Sequence, residues 1–455
     1  MQSADKAQAL ERQIEQWRNF LRHRQAIHSV DVAELEDHLR EQVAALIDGG
    51  LDDDEAFLVA VKRMGSLDAL SREFAREHSD RLWKQLVMPS EPGDLASGIG
   101  ADTIAAFALA VAAALLVKLP ALFGFGIDEH AGFYARNASL FVLPLLAGYF
   151  AWKRPLDNVT IQRLAMAFIA AVFIINIYPF APGGNTLVLA ALHLPIALWL
   201  LVGIAYAGGR WREAERRMDF VRFSGELFIY YVLIALGGGV FIGFMLMLFE
   251  AIGIDAEPFL ESWLLPCGAA GAVLVAAWLV EAKQSVIENM APVLTRLFTP
   301  LFAVLLLAFL GTILFTDSGL NVERDLLIAF DLLLVVVLGL LLYSISARDP
   351  ARPPGIFDIA QVVLVASALL VDIVALWAIA ARIGEMGFTP NRVAALGLNI
   401  ILLVNLAWSA VLYVGFLRRR SSFHSLVRWQ TNYLPAFAVW AAIVVVLFPP
   451  MFRFV

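Results

Sequence analysis

The chain has 455 residues, of which 60% belong to the set AVILMFWYC and 16% are charged; an ordinary soluble domain carries roughly a quarter charged residues. A soluble fold of this length cannot hide so much apolar surface, so the composition excludes disorder, a coiled coil and a nucleic-acid-binding domain and indicates an integral membrane protein. The formal charge of −7 is unevenly spread: 19 acidic and 12 basic residues lie in the first fifth, up to Asp94, whereas the remainder holds 22 of each. The pattern is that of a solvated acidic head, 1–95, followed by a membrane body, 96–455.

The head reads as about four short helices. Ile14, Trp17, Phe20 and Leu21 mark the apolar face of the first. Asp31 with Glu34 has the form of a capping box ahead of the stripe Leu35, Leu39, Val43, Leu46 and Ile47, which Gly49-Gly50 stops. Asp52 with Glu55 repeats the start signal before Phe57, Val61 and Met64. Leu67, Leu70, Phe74, Leu82, Trp83 and Leu86 supply a final stripe. The run Glu34-Leu35-Glu36-Asp37-His38-Leu39-Arg40, then Gly50-Leu51, Glu55-Ala56-Phe57 and Arg63-Met64-Gly65 resembles the permease-prefix (HAAS-like) helical domains. That resemblance implies a cytoplasmic accessory module without catalysis.

From residue 101 onward, apolar runs of spanning length alternate with short polar breaks. Eleven spans are expected, at 101–119, 138–152, 164–180, 187–207, 227–252, 263–280, 298–315, 326–345, 359–379, 393–416 and 434–452. The fold class is therefore all-α: a polytopic helical membrane bundle behind a soluble four-helix domain. The breaks after the even-numbered spans hold sixteen Lys and Arg, including Arg210, Arg212, Arg216, Arg217 and Arg222, against five in the opposite set. The positive-inside bias then places the N-terminus in and the C-terminus out. No basic start with an apolar core opens the chain at Met1–Asp5, so no cleavable signal peptide is expected. The segment 284–296 reads as an amphipathic interfacial helix. The back half, with Gly387-Phe388-Thr389-Pro390-Asn391-Arg392 opening a late helix, is similar to polytopic membrane families of unknown function (the DUF4153/DUF4173 type), which implies no assigned chemistry.

Ionisable residues inside spans are the natural functional candidates, because a charge at mid-bilayer costs about 3 kcal/mol even on the gentler scales. Asp331 and Asp372 fall at similar depth on consecutive, oppositely directed helices. They could share a cavity for a proton, a cation or a basic group, or each could pair with a neighbouring polar residue and fix packing. Gly237, Gly238, Gly239 and Gly243 would let another helix approach or would let their own helix unwind. Gly387, Thr389 and Arg392 form the family-like external motif. His193 and the single cysteine, Cys267, read as buried structural residues.

No phosphate-cradling glycine loop, zinc-binding His-Glu-x-x-His or nucleophile elbow is present in the sequence, so neither a catalytic residue, a cofactor nor a metal site is expected. Two functions fit: a permease-like carrier of a small solute or ion whose head docks on a cytoplasmic protein partner or on the membrane body, and a non-transporting sensor or assembly factor that signals through the head. A wetted cavity at Asp331 and Asp372 favours the carrier, and a dry interior favours the sensor. The expected partners are the lipid bilayer and a cytoplasmic protein, with no nucleic acid; the oligomeric state stays open.

Overall fold

The computed structural model describes residues 10, 11, 14, 29–49, 51, 52, 55–57, 59, 60 and 101–455, apart from 128, 283–289, 316–323 and 351. Contacts divide the chain into two units, Met1–Gly98 and Ile99–Val455. In the first, α1 (Ser29–Asp48) already includes Asp31, so Asp31 lies within the helix and not ahead of it. Leu39, Val43 and Leu46 from its apolar stripe pack with Ile14, Ala56 and Ala60. Arg40 bridges Glu36, one turn earlier at 2.8 Å, and Glu11 at 2.6 Å; the Glu11 and Glu36 carboxylates push its pKa upward. The expected stripe residues Trp17, Phe20, Leu21, Val61 and Met64, the helix over 67–86, and positions 284–289 of the amphipathic segment lie outside the described residues.

The second unit is helical, with no strand among its described residues. Its long helices are α2 (Ala101–Lys118), α3 (Ala131–Lys153), α4 (Asn158–Ile177), α5 (Asn185–Tyr206), α6 (Ala214–Ala251), α7 (Leu265–Ala282), α8 (Met290–Phe315), α9 (Arg324–Ala347), α10 (Ile356–Met386), α11 (Pro390–Leu417) and α12 (Phe423–Val446). Ten candidate spans among the described residues are long and apolar enough to cross a membrane. The helix outside that set is α3, whose Arg136 and Asn137 dilute its apolar run. It nevertheless matches α2 in depth. Lys153 at its end pairs with Asp102 at the start of α2 (3.3 Å), and Tyr134 near its start donates to the Phe125 carbonyl beyond the end of α2 (2.8 Å). Its 23 residues extend about 35 Å at 1.5 Å per residue.

Helix ends sort to two sides. One side gathers the ends of α3, α5, α7 and α9 and the starts of α2, α6 and α10, tied by Arg154 to Glu281 (2.9 Å), Arg222 to the Ser346 carbonyl (2.7 Å) and Arg348 to Asp358 (2.8 Å). On the other, the Ala181 and Thr186 amides donate to the Phe454 and Val455 carbonyls, both at 2.9 Å, and Asn391 donates to Asn185 at 2.8 Å. Arg154, Arg222 and Arg348, from three of the basic breaks, therefore lie at one end of the bundle.

Besides a small cluster of Leu189, Ala394, Val444 and Phe448, two large apolar clusters form the interior. One is built mainly by α2–α5 and α7, the other by α8–α12. The first turns of α6 join them: Phe220 and Phe223 pack into the first cluster, Met218 and Val221 into the second. Beyond Glu226 no residue of α6 is buried, and this apolar half meets lipid in a bilayer. Pro266 has no N–H to give the carbonyl four residues earlier; the chain there forms a short π-helical stretch, Leu260–Leu264, and Lys118 donates to the Ser262 carbonyl while lying over the Trp263 ring.

Candidate functional site

Three helices of the second cluster carry the site. The buried positions of α10 include Leu364, Ala368, Val371, Asp372, Ala375 and Ile379, the three- and four-residue steps of one helix face. Asp372 thus stands where a core residue would, at 0% exposure. Asn399 occupies the equivalent stripe of α11, also at 0%. Asp331 lies on α9 between buried Phe330 and Leu334 and is itself half-buried. The helices α9, α10 and α11 touch one another in every pairing.

The polar geometry is short of donors. Asn399 Nδ2 donates to Asp331 Oδ1 at 2.7 Å and to the Ala395 carbonyl at 2.9 Å. Both oxygens of Asp372 and the Oδ1 of Asn399 are buried without a hydrogen-bond partner among the described residues. Asp331 and Asp372 stand on α9 and α10, two helices in direct contact. A buried carboxylate without donors, as Asp372 is, needs a counter-charge, since an unpaired buried ion costs several kcal/mol. A proton or a small cation supplies it with the least volume.

Two neighbouring polar groups are better matched. Asn405 and Gln430 exchange amide hydrogen bonds across α11 and α12 at 3.0 and 3.2 Å, and Gln430 also donates to Ser409 at 2.7 Å. Gln361 of α10 donates to Thr299 of α8 (3.0 Å) and Ser344 of α9 (2.7 Å). These amides fasten helices, as interhelical hydrogen bonds do in lipid. Sequence reasoning restricted to ionisable residues missed them and Asn399; a scan of apolar runs for Asn and Gln finds Gln361, Asn399 and Asn405, but not Gln430, which lies in the polar stretch ahead of the last expected span.

The remaining candidates lie elsewhere. Gly237, Gly238, Gly239 and Gly243 belong to the lipid-facing half of α6, which is continuous helix there, and a Cβ added at any of them meets nothing within 4 Å. Neither unwinding nor packing by another described helix of this chain occurs, because α6 runs past its neighbours. Gly387, Thr389 and Arg392 form the α10–α11 connection. Gly387 ends α10 at φ +75°, Thr389 caps α11 by accepting from the Arg392 amide (3.4 Å), and the Arg392 guanidinium donates to the Met386 and Gly387 carbonyls at 3.1 and 2.8 Å. His193 and Cys267 are both half-buried rather than buried: the His193 ring contacts its own helix at the Leu189 carbonyl (2.8 Å), and the Cys267 thiol lies 3.6 Å from the Ala114 carbonyl. Among the described residues no cluster of His, Cys, Asp and Glu could hold a metal ion. No family model, curated protein or solved structure matches the chain.

Proposed function

We propose that this multi-pass membrane protein is a permease-like carrier of the bacterial cytoplasmic membrane, moving a small solute or ion through the α8–α12 half of the bundle. The observation that carries this reading is the donor-poor group Asp331, Asp372 and Asn399, set between three spans. Exchange of a proton or small cation at such a group couples its charge to the packing of the helices around it. The half-buried Asp331 is its outer member and the sealed Asp372 its inner one. The N-terminal unit, which resembles a permease-prefix domain, serves as a cytoplasmic regulatory or docking head, with the N-terminus inside and the C-terminus outside.

The test is flux in vesicles containing the purified full-length protein and a pH-sensitive dye, under imposed proton or sodium gradients. The wild type should dissipate one of these gradients, and Asp372→Asn, inserted to the same level, should not. Equal traces from wild type, variant and empty vesicles overturn the carrier reading. One observation favours the second reading, a non-transporting sensor or assembly factor: Asp372 is fully enclosed by side chains. In that case removal of the head should abolish signalling while both gradients persist.

A further inference from the structure

At the arginine-rich end of the bundle, a cleft of about 240 Å³ opens between α3, α5, α7 and the first turns of α6. Its wall carries three guanidinium groups, Arg154, Arg216 and Arg222, two carboxylates, Asp219 and Glu226, and the Tyr206 ring. Positions 216, 219, 222 and 226 follow three- and four-residue steps, so a single stripe of α6 supplies four of the six. Arg154 comes from the end of α3, opposite that stripe.

The arginines are held in different degrees. Arg154 donates to the Tyr206 carbonyl at 2.5 Å and to Glu281 at 2.9 Å, and its guanidinium lies 3.7 Å from the centre of the Tyr206 ring. Arg222 donates to the Ser346 carbonyl at 2.7 Å. Arg216 is 44% exposed, with Glu213 at 3.8 Å. A guanidinium has five N–H donors in a rigid fork, so the contacts that fix Arg154 and Arg222 leave further donors for a ligand. Planar forks of this kind match the oxygens of a phosphate. The cleft lies at the ends of spanning helices, the depth of lipid headgroups, and basic pockets between spans recognise acidic headgroups there.

We propose that this cleft binds a phosphate-bearing group, with Arg216 and Arg222 meeting its oxygens and Arg154 closing the far wall. Asp219 and Glu226 then accept from hydroxyls on the same ligand. A phospholipid headgroup and a soluble phosphate share this chemistry. The proposal is independent of transport through α8–α12.

The experiment uses delipidated full-length protein in detergent, native mass spectrometry, and two probe lipids: phosphatidylglycerol and a phosphate-free diglucosyl diacylglycerol. Phosphatidylglycerol should be retained about tenfold more than the glycolipid, the equivalent of one charge-assisted hydrogen bond. R216Q/R222Q should remove that preference. R216Q alone, at an exposed side chain that the fold does not need, should reduce it severalfold with an unchanged melting temperature. Displacement of the lipid by millimolar inorganic phosphate assigns the site to a soluble anion, and persistence of the lipid assigns it to a headgroup. Equal retention of both lipids by the wild type, or full preference in R216Q and R216Q/R222Q, overturns the proposal.

Discussion

Asn399 Nδ2 lies 2.7 Å from Asp331 Oδ1, a hydrogen bond that joins α11 to α9. Asn399→Leu removes the donor without changing the charge count. A hydrogen bond to a charged group contributes about 1.5–3 kcal/mol, so the variant should melt lower in detergent by a corresponding amount. Asn399→Asp should lower abundance further, because it adds a third carboxylate to a group already short of donors. Wild-type melting for both variants would show that this bond contributes nothing.

The glycines separate into two kinds. Gly387 has φ +75° and ψ −179°, a region almost reserved for glycine, where a side chain costs on the order of 1–3 kcal/mol. At Gly397 a Cβ would overlap the Trp440 ring of α12. Gly387→Ala and Gly397→Ala should both reduce thermal stability, whereas Gly237→Ala, Gly238→Ala and Gly239→Ala should leave it unchanged or raise it. A large loss at positions 237–239 would reveal a packing partner outside this chain.

Arg348 meets Asp358 through two contacts, at 2.8 and 3.1 Å, beneath the Phe416 and Phe423 rings at 4.6 and 4.5 Å. The side chains are 13% and 5% exposed. Breaking a buried pair by deleting one partner costs about 3–5 kcal/mol, more than replacing both by apolar residues. Arg348→Met should therefore destabilise more than Arg348→Met with Asp358→Leu, in chemical denaturation of the purified protein. A double variant as unstable as the sum of its parts would contradict that account.

Topology is testable by thiol labelling in a background where Cys267→Ala removes the native cysteine. Glu257→Cys should react with an impermeant reagent in intact cells, and Glu213→Cys should react only after permeabilisation. Both positions are exposed, so access to the reagent decides the result. Equal labelling of the two would overturn the alternating arrangement.

The helical segments were legible because a spanning helix needs roughly twenty apolar residues and no other local pattern supplies them. Their ends were less so. The expected span at 227 belongs to a helix that begins at Ala214, because Arg216, Arg217 and Arg222 disguise its first turns as a basic loop. The span expected to end at 379 continues to Met386, carrying Arg382 and Glu385. Asp331 and Asp372 stood out by charge, but nothing in the sequence paired either with Asn399, an uncharged amide in an apolar run. The residues of the 387–392 motif act locally as a helix stop, a cap and a donor to two carbonyls, roles its spacing alone does not spell out.

The most direct test of the central claim is infrared difference spectroscopy on the reconstituted full-length protein, exchanged between acidic and alkaline buffer and between sodium-containing and sodium-free buffer. If Asp372 and Asp331 form an exchangeable proton or cation site, the wild type should show carboxyl bands that respond to one of these exchanges. Asp372→Asn should lose them. Identical difference spectra from wild type and Asp372→Asn would contradict the account and leave Asp372 as a packing residue.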